Sequence, residues 1–98
     1  VFTYQITIEN TSGQPAQLVS RHWIITNANG TTHEVVGDGV VGEQPHLAPG
    51  ASHTYSSFCP LDTPWGTMEG SFHMIADSGE AFSITVGRFF LVTPESTK

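Results

Sequence analysis

Ninety-eight residues leave room for one hydrophobic core, so a single domain spanning residues 1–98 is expected. The formal charge is −6 and the only cations are Arg21, Arg88 and Lys98, which excludes nucleic-acid binding and docking on an anionic membrane, since both need several cations to neutralise phosphates. No apolar run is long enough for a membrane span, no charged-then-apolar leader opens the chain, and Cys59 has no second cysteine to pair with; the expected location is a reducing one, the cytoplasm.

The hydrophobic period is two along most of the chain. In residues 1–9, Phe2, Tyr4, Ile6 and Ile8 alternate with Thr3, Gln5 and Thr7, a half-buried strand. Residues 10–15 are turn chemistry, with Asn10, Ser12, Gly13 and Pro15. Residues 17–27 read as a second strand. Leu18, His22 and Ile24 fall on one side and Val19, Trp23 and Ile25 on the other, so both faces are partly apolar and the strand is expected to be central. Ala28-Asn29-Gly30 turns the chain into a third strand over residues 31–36. Residues 37–50 form the longest loop. A fourth strand follows over 52–58, with His53, Tyr55 and Ser57 on one face. Residues 59–67 carry Pro60, Pro64 and Gly66 and read as a loop that includes Trp65. Residues 68–76 are a fifth strand, with Met68, Gly70, Phe72 and Met74 sharing a face. After the turn Asp77-Ser78-Gly79-Glu80, residues 81–92 form the last strand, with Phe82, Ile84, Val86, Phe90 and Val92 aligned; the polar tail 93–98 is expected to fray. No segment has the 3.6-residue period of an amphipathic helix. The expected fold is an all-β antiparallel sandwich of six to seven strands, immunoglobulin-like or fibronectin type III-like in outline.

Gly37-Asp38-Gly39-Val40-Val41-Gly42 is a formal G-x-G-x-x-G. In a dinucleotide fold such glycines lead from a strand into a helix whose N-terminus holds a pyrophosphate. Here Glu43-Gln44-Pro45-His46 follows, which does not begin a helix. Two readings stay open. One is an inter-strand loop that needs unusual backbone angles; the other is a cradle of backbone N–H groups for a small anion, at Gly37, Gly39 and Gly42, with Arg21 or Arg88 as counter-charge. Five histidines invite a metal, but none sits at a zinc-ligand spacing; weak binding of a divalent ion to acidic side chains is the more plausible metal reading. Cys59, beside Pro60, reads as a small buried hydrophobe rather than a nucleophile, and no Ser- or carboxylate-based catalytic pattern occurs, so no enzyme activity and no cofactor are expected. Trp23 reads as core. Trp65, between Pro64 and Gly66, reads either as an exposed interface anchor or as a lid on the sandwich end.

Three stretches together resemble the bacterial ApaG family. They are residues 20–27, Ser-Arg-His-Trp-Ile-Ile-Thr-Asn, followed by Gly30; residues 37–45 with Leu47-Ala48-Pro49-Gly50; and Tyr55-Ser56-Ser57 with residues 63–70, Thr-Pro-Trp-Gly-Thr-Met-Glu-Gly. Their order and spacing cover nearly the whole chain. The resemblance implies a fibronectin type III-like sandwich and a link to cobalt and magnesium resistance or efflux in bacteria. Similar domains in eukaryotic F-box proteins and in a DNA polymerase delta-interacting protein look like protein-interaction modules. The pyrophosphate motif proposed for the family maps onto Gly37, Gly39 and Gly42. The family usually carries a further segment, often with a strand, ahead of the part matching residues 1–9; without it an edge strand is expected to be exposed, open to strand addition or to a homodimer. The expected function is therefore binding of an unidentified protein partner, anchored by Val40, Val41, Trp65 and Met68, with a small anion or divalent ion at residues 37–42 as the alternative.

Overall fold

The computed structural model describes residues 2–92. Within them the chain runs β1 (Phe2–Glu9), β2 (Ala16–Asn27), β3 (Thr32–Asp38), β4 (His46–Leu47), β5 (Ser52–Cys59), β6 (Trp65–Ala76) and β7 (Ala81–Val92). The expected start at Val1 and the expected tail over 93–98 lie outside the described residues. Every pairing is antiparallel. β1 and β5 form a two-stranded sheet; β3, β2, β6 and β7 lie in that order in a second sheet, where the short β4 also pairs with β2. The domain is a β-sandwich, five strands against two.

Two turns are held by buried asparagines, as their side chains favour. Asn10 donates to the carbonyls of Gln14 and Leu47 and accepts from the N–H and the hydroxyl of Ser12. The side-chain oxygen of Asn27 accepts from the N–H groups of Asn29 and Thr31, and its amide donates to Asp62. Both asparagines are therefore satisfied although buried.

Two bulges set which side chains point inward. In β2, Leu18 pairs with Met74 but Ser20 pairs with the adjacent His73, so Val19 is an extra residue. The strict alternation expected over 17–27 breaks there: Leu18 and Trp23, expected on opposite faces, are both enclosed. In β7, Met68 faces Phe89 while Gly70 faces Val86, which leaves Gly87 and Arg88 opposite Glu69 alone. Past this bulge the phase reverses. Phe89 and Leu91 turn to the interior, and Phe90 and Val92, expected to align with Phe82, Ile84 and Val86, turn outward. Gly87, a glycine inside a strand, is the sequence mark of this bulge.

Phe72, Leu18, Met68, Met74 and Val40 are the largest fully enclosed side chains. The centre is aromatic. Trp23 stands edge-on to Phe72, Phe89 and Tyr4 at centroid distances of 5.6, 6.0 and 6.0 Å. Because Tyr4 belongs to the small sheet, Trp23 joins the two layers; such pairs add roughly 0.5–1.5 kcal/mol beyond area burial. Further departures are local. The loop expected over 37–50 contains β4, and Trp65 opens β6 instead of lying in a loop.

The reversed phase of β7 has a direct test. Phe89→Ala should lower the unfolding free energy by roughly 2–3 kcal/mol, because Phe89 packs on Tyr4 and Trp23. Phe90→Ala should change it by less than about 0.5 kcal/mol, as for other exposed positions. Urea unfolding of the two variants measures the difference; an equal or reversed order contradicts the bulge.

Candidate functional site

The glycine loop is pinned to the β2 bulge. The Val19 carbonyl, released from the ladder by the bulge, accepts the Gly39 N–H at 2.8 Å and the Gln44 side-chain amide at 2.9 Å. The Leu18 N–H donates to the Pro45 carbonyl. Val40 and Glu43 exchange both backbone hydrogen bonds, so Val41 and Gly42 form a two-residue hairpin turn. Both have positive φ, 48° and 78°, as a type I′ turn requires. A β-branched residue seldom adopts this conformation, and Val41 does so while 59% exposed.

Each glycine of the G-x-G-x-x-G thus has a local task. Gly37 lies under the Arg21 guanidinium, which a Cβ would meet at 2.9 Å. Gly39, at φ +64°, has the Glu43 carbonyl where a Cβ would stand. Gly42 fills the second turn position. The N–H groups of Gly39, Val40 and Glu43 donate within the loop and to β2, so they are not gathered on a common point outside it. Arg21 does reach the loop, but Nη1 donates to the carbonyls of Asp38 and Gly39 at 3.0 and 2.8 Å, bracing the loop from beneath.

The four partner anchors expected from sequence are not brought together. Val40 and Met68 are enclosed in the core and offer no surface, because each sits at an inward position. Val41 and Trp65 are exposed, at opposite ends of the large sheet. The loop of Val41 attaches at Val19, whereas Trp65 precedes Gly66, the partner of Asn27. The eight residue steps along β2 from Val19 to Asn27 span roughly 26 Å. What joins Trp65 instead is missing from the expected set. Phe90, 66% exposed, lies 6.3 Å from it centroid to centroid, and Val92, paired with Trp65 across β6 and β7, is 49% exposed. Trp65 itself is 42% exposed. Beyond Trp65 itself, the sequence signal that could have found Phe90 and Val92 is Gly87, a glycine inside a strand.

Cys59 is enclosed at the end of β5, its thiol directed to the Pro60 carbonyl at 3.7 Å. Burial pushes its pKa up. The histidines are dispersed: His22 meets Glu34 and His46 meets Asp77, each at 2.7 Å, on exposed surface, and His73 faces solvent. Among the described residues no three His, Cys, Asp or Glu side chains lie close enough to hold a metal ion, and no helix is long and apolar enough to cross a membrane. Three buried polar atoms have no hydrogen-bond partner among the described residues: Trp23 Nε1, Tyr55 Oη and His53 Nε2. Burial also pushes the Tyr55 phenol pKa up, with Tyr4 adding to the shift and Arg21 opposing it.

Fold and loops together define a class: an antiparallel β-sandwich with a glycine hairpin at one end of its large sheet and an exposed aromatic cluster at the other. A sequence profile described as the ApaG domain matches residues 1–76. The Protein ApaG of Anaeromyxobacter dehalogenans strain 2CP-C is 55% identical over 96 residues, covering 98% of this chain and 77% of its own. That of Chromobacterium violaceum is 52% identical over 94 residues, covering 96% and 75%. A crystal structure of a Bordetella pertussis protein named ApaA superposes with a TM-score of 0.90 at 48% identity, covering 94% of this chain and 75% of that one. The chain belongs to the ApaG family.

Two outcomes follow from this geometry. Val41→Gly relieves the strained turn position and should raise stability by roughly 0.5–1 kcal/mol in thermal or urea unfolding; a loss of stability would mean that the valine side chain packs favourably where it is. Iodoacetamide should label folded Cys59 far more slowly than the unfolded chain at pH 8, since the enclosed thiol keeps its proton. The sign for stability follows: Cys59 contributes fully below the unfolded thiol pKa of about 8.5, and that contribution is lost as pH rises, because the unfolded state ionises first. Labelling of native protein as fast as a free thiol would contradict this.

Proposed function

We propose that the domain is a non-enzymatic, cytoplasmic protein-binding module whose docking surface is the end of the large sheet at Trp65, Phe90 and Val92. The observation that carries the proposal is that two aromatic side chains stand exposed and in contact on a rigid strand pair. Monomeric domains rarely leave such clusters uncovered, and aromatic anchors dominate the energetics of protein interfaces. The β6–β7 ladder and the Arg88–Glu69 pair at 2.9 Å hold the cluster in place without flexible loops. The link to cobalt and magnesium resistance implied by the family resemblance is then exerted through the partner. The alternative, an anion or divalent ion at residues 37–42, has weaker support, since the N–H groups of Gly39, Val40 and Glu43 already have acceptors. A homodimer is favoured by one separate observation: among the described residues β1 pairs with β5 alone, so its other edge is free for strand addition.

Affinity capture from a bacterial extract, with wild type and Trp65→Ser/Phe90→Ser compared by quantitative mass spectrometry, tests the main reading. A true partner should fall in recovery by about tenfold or more, the effect of losing a hot-spot anchor, while the melting temperature stays within a few degrees. Recovery unchanged by the double substitution rules this surface out. Sedimentation over rising concentration tests the dimer, and a strictly monomeric chain rules it out.

A further inference from the structure

Among the described residues β3 pairs with β2 alone, which leaves one of its edges without a strand partner. Edge strands are usually blunted by lysine, proline, a bulge or very short length. β3 has none of these. Thr32–Asp38 runs for seven residues in unbroken register and carries Val35 and Val36, both exposed. β7, at the opposite edge of the same sheet, does carry a bulge, at Gly87 and Arg88. The acid in the middle of β3, Glu34, is drawn back over the sheet by His22 on β2, at 2.7 Å.

The ladder fixes which backbone groups β3 offers. In an antiparallel pair, successive residues direct their N–H and C=O alternately toward the partner strand and away from it. The Asn27 N–H donates to the Thr31 carbonyl and the Gly39 N–H to the Val19 carbonyl, at the two ends of the β2–β3 pair. Odd-numbered residues of β3 therefore face β2, and Thr32, Glu34, Val36 and Asp38 direct their backbone groups to the open edge. Side chains alternate as well. Val35, opposite the buried Trp23, lies on the inner face; Glu34 and Val36, opposite Ile24 and His22, lie on the outer one.

We propose that this edge pairs, antiparallel, with the same edge of a second copy of the chain, with Val35 opposite Val35 on the twofold axis. Faces are kept by an axis perpendicular to the sheet, so one residue must stand opposite its own copy, and charge selects which. Centring on Glu34 sets Glu34 against Glu34, and centring on Val36 sets Glu34 against Asp38; like charges directly opposite destabilise a strand pair. Centring on Val35 pairs the whole strand and avoids both. Glu34 of each copy then faces Val36 of the other, Asp38 faces Thr32, and His33 faces Gly37, where the Arg21 guanidinium of the other copy offers donors to the neutral imidazole. Roughly eight backbone hydrogen bonds form, and the two large sheets join into one. A seven-residue edge buries less than a standard interface, so the dimer is weak and depends on concentration. This contact is separate from the free edge of β1 and from the Trp65 cluster.

Cysteine cross-linking reads the register. In a non-hydrogen-bonded pair on the axis the two residue-35 Cα atoms stand about 4.5 Å apart, within disulfide reach, whereas the two residue-36 Cα atoms stand roughly 9 Å apart, beyond it. In a glutathione redox buffer at pH 8, Val35→Cys should form the covalent dimer about tenfold faster than Val36→Cys or more. Random collision favours the opposite order, because Val36 is 73% exposed and Val35 38%. The wild-type chain, whose Cys59 is enclosed, supplies the background rate. Sedimentation gives a second readout, with substitutions at an exposed position that leave the fold intact. Val36→Glu sets a carboxylate against Glu34 at two places and should raise the dimer dissociation constant about tenfold; Val36→Lys should leave it unchanged or lower it. The proposal is overturned by a strictly monomeric chain, by cross-linking at residue 36 as fast as at residue 35, or by Val36→Glu and Val36→Lys acting alike. Association that persists in Val36→Glu with no link at residue 35 belongs to another edge, such as β1, and overturns it too. Capture through Trp65 and Phe90 is independent of every one of these outcomes.

Discussion

Two extra residues in the sheet ladder decide what this domain encloses and what it shows. A strand offers alternate side chains to alternate faces, and a bulge is the ordinary way to change that assignment partway along. The bulge at Val19 brings Leu18 and Trp23 to one interior, and the bulge at Gly87 and Arg88 brings Phe89 inward against Trp23. Trp23 joins the layers through Tyr4, Phe72 and Phe89, and the contact with Phe89 exists only with the β7 bulge in place.

The same two irregularities create the surfaces with functional potential. Beyond the second bulge Phe90 and Val92 are turned out beside Trp65, so the exposed cluster is the counterpart of the buried Phe89 and Leu91. The first bulge turns Arg21 inward and frees the Val19 carbonyl, on which Gly39 and Gln44 anchor the glycine hairpin. Core and surface are thus set by one device. A change that removed a bulge would alter both together.

Much of this was legible in the residues. Strict alternation in residues 2–9 placed Phe2, Tyr4, Ile6 and Ile8 correctly on one face, and Asn10 marked a turn that it does hold. The strand class, the antiparallel sandwich and the ApaG resemblance were all readable, because they rest on patterns of period two and on contiguous motifs. The bulges were less so. Val19 carries no sequence mark of irregularity, since its carbonyl is claimed by residues twenty and more positions away. Without that contact, Leu18 and Trp23 fall on opposite faces. Gly87 was a visible mark, but not one that says which way the phase moves. The candidate sites suffered accordingly: Val40 and Met68 look like surface anchors in a glycine loop and a strand end, yet long-range pairing encloses both.

The most direct measurement of this arrangement is the pattern of nuclear Overhauser contacts from the Trp23 indole ring. Proton contacts to the rings of Tyr4, Phe72 and Phe89, with none to Phe90, are the predicted result. Contacts from the indole to Phe90 in place of Phe89 would show an unbroken alternation through β7 and would contradict it.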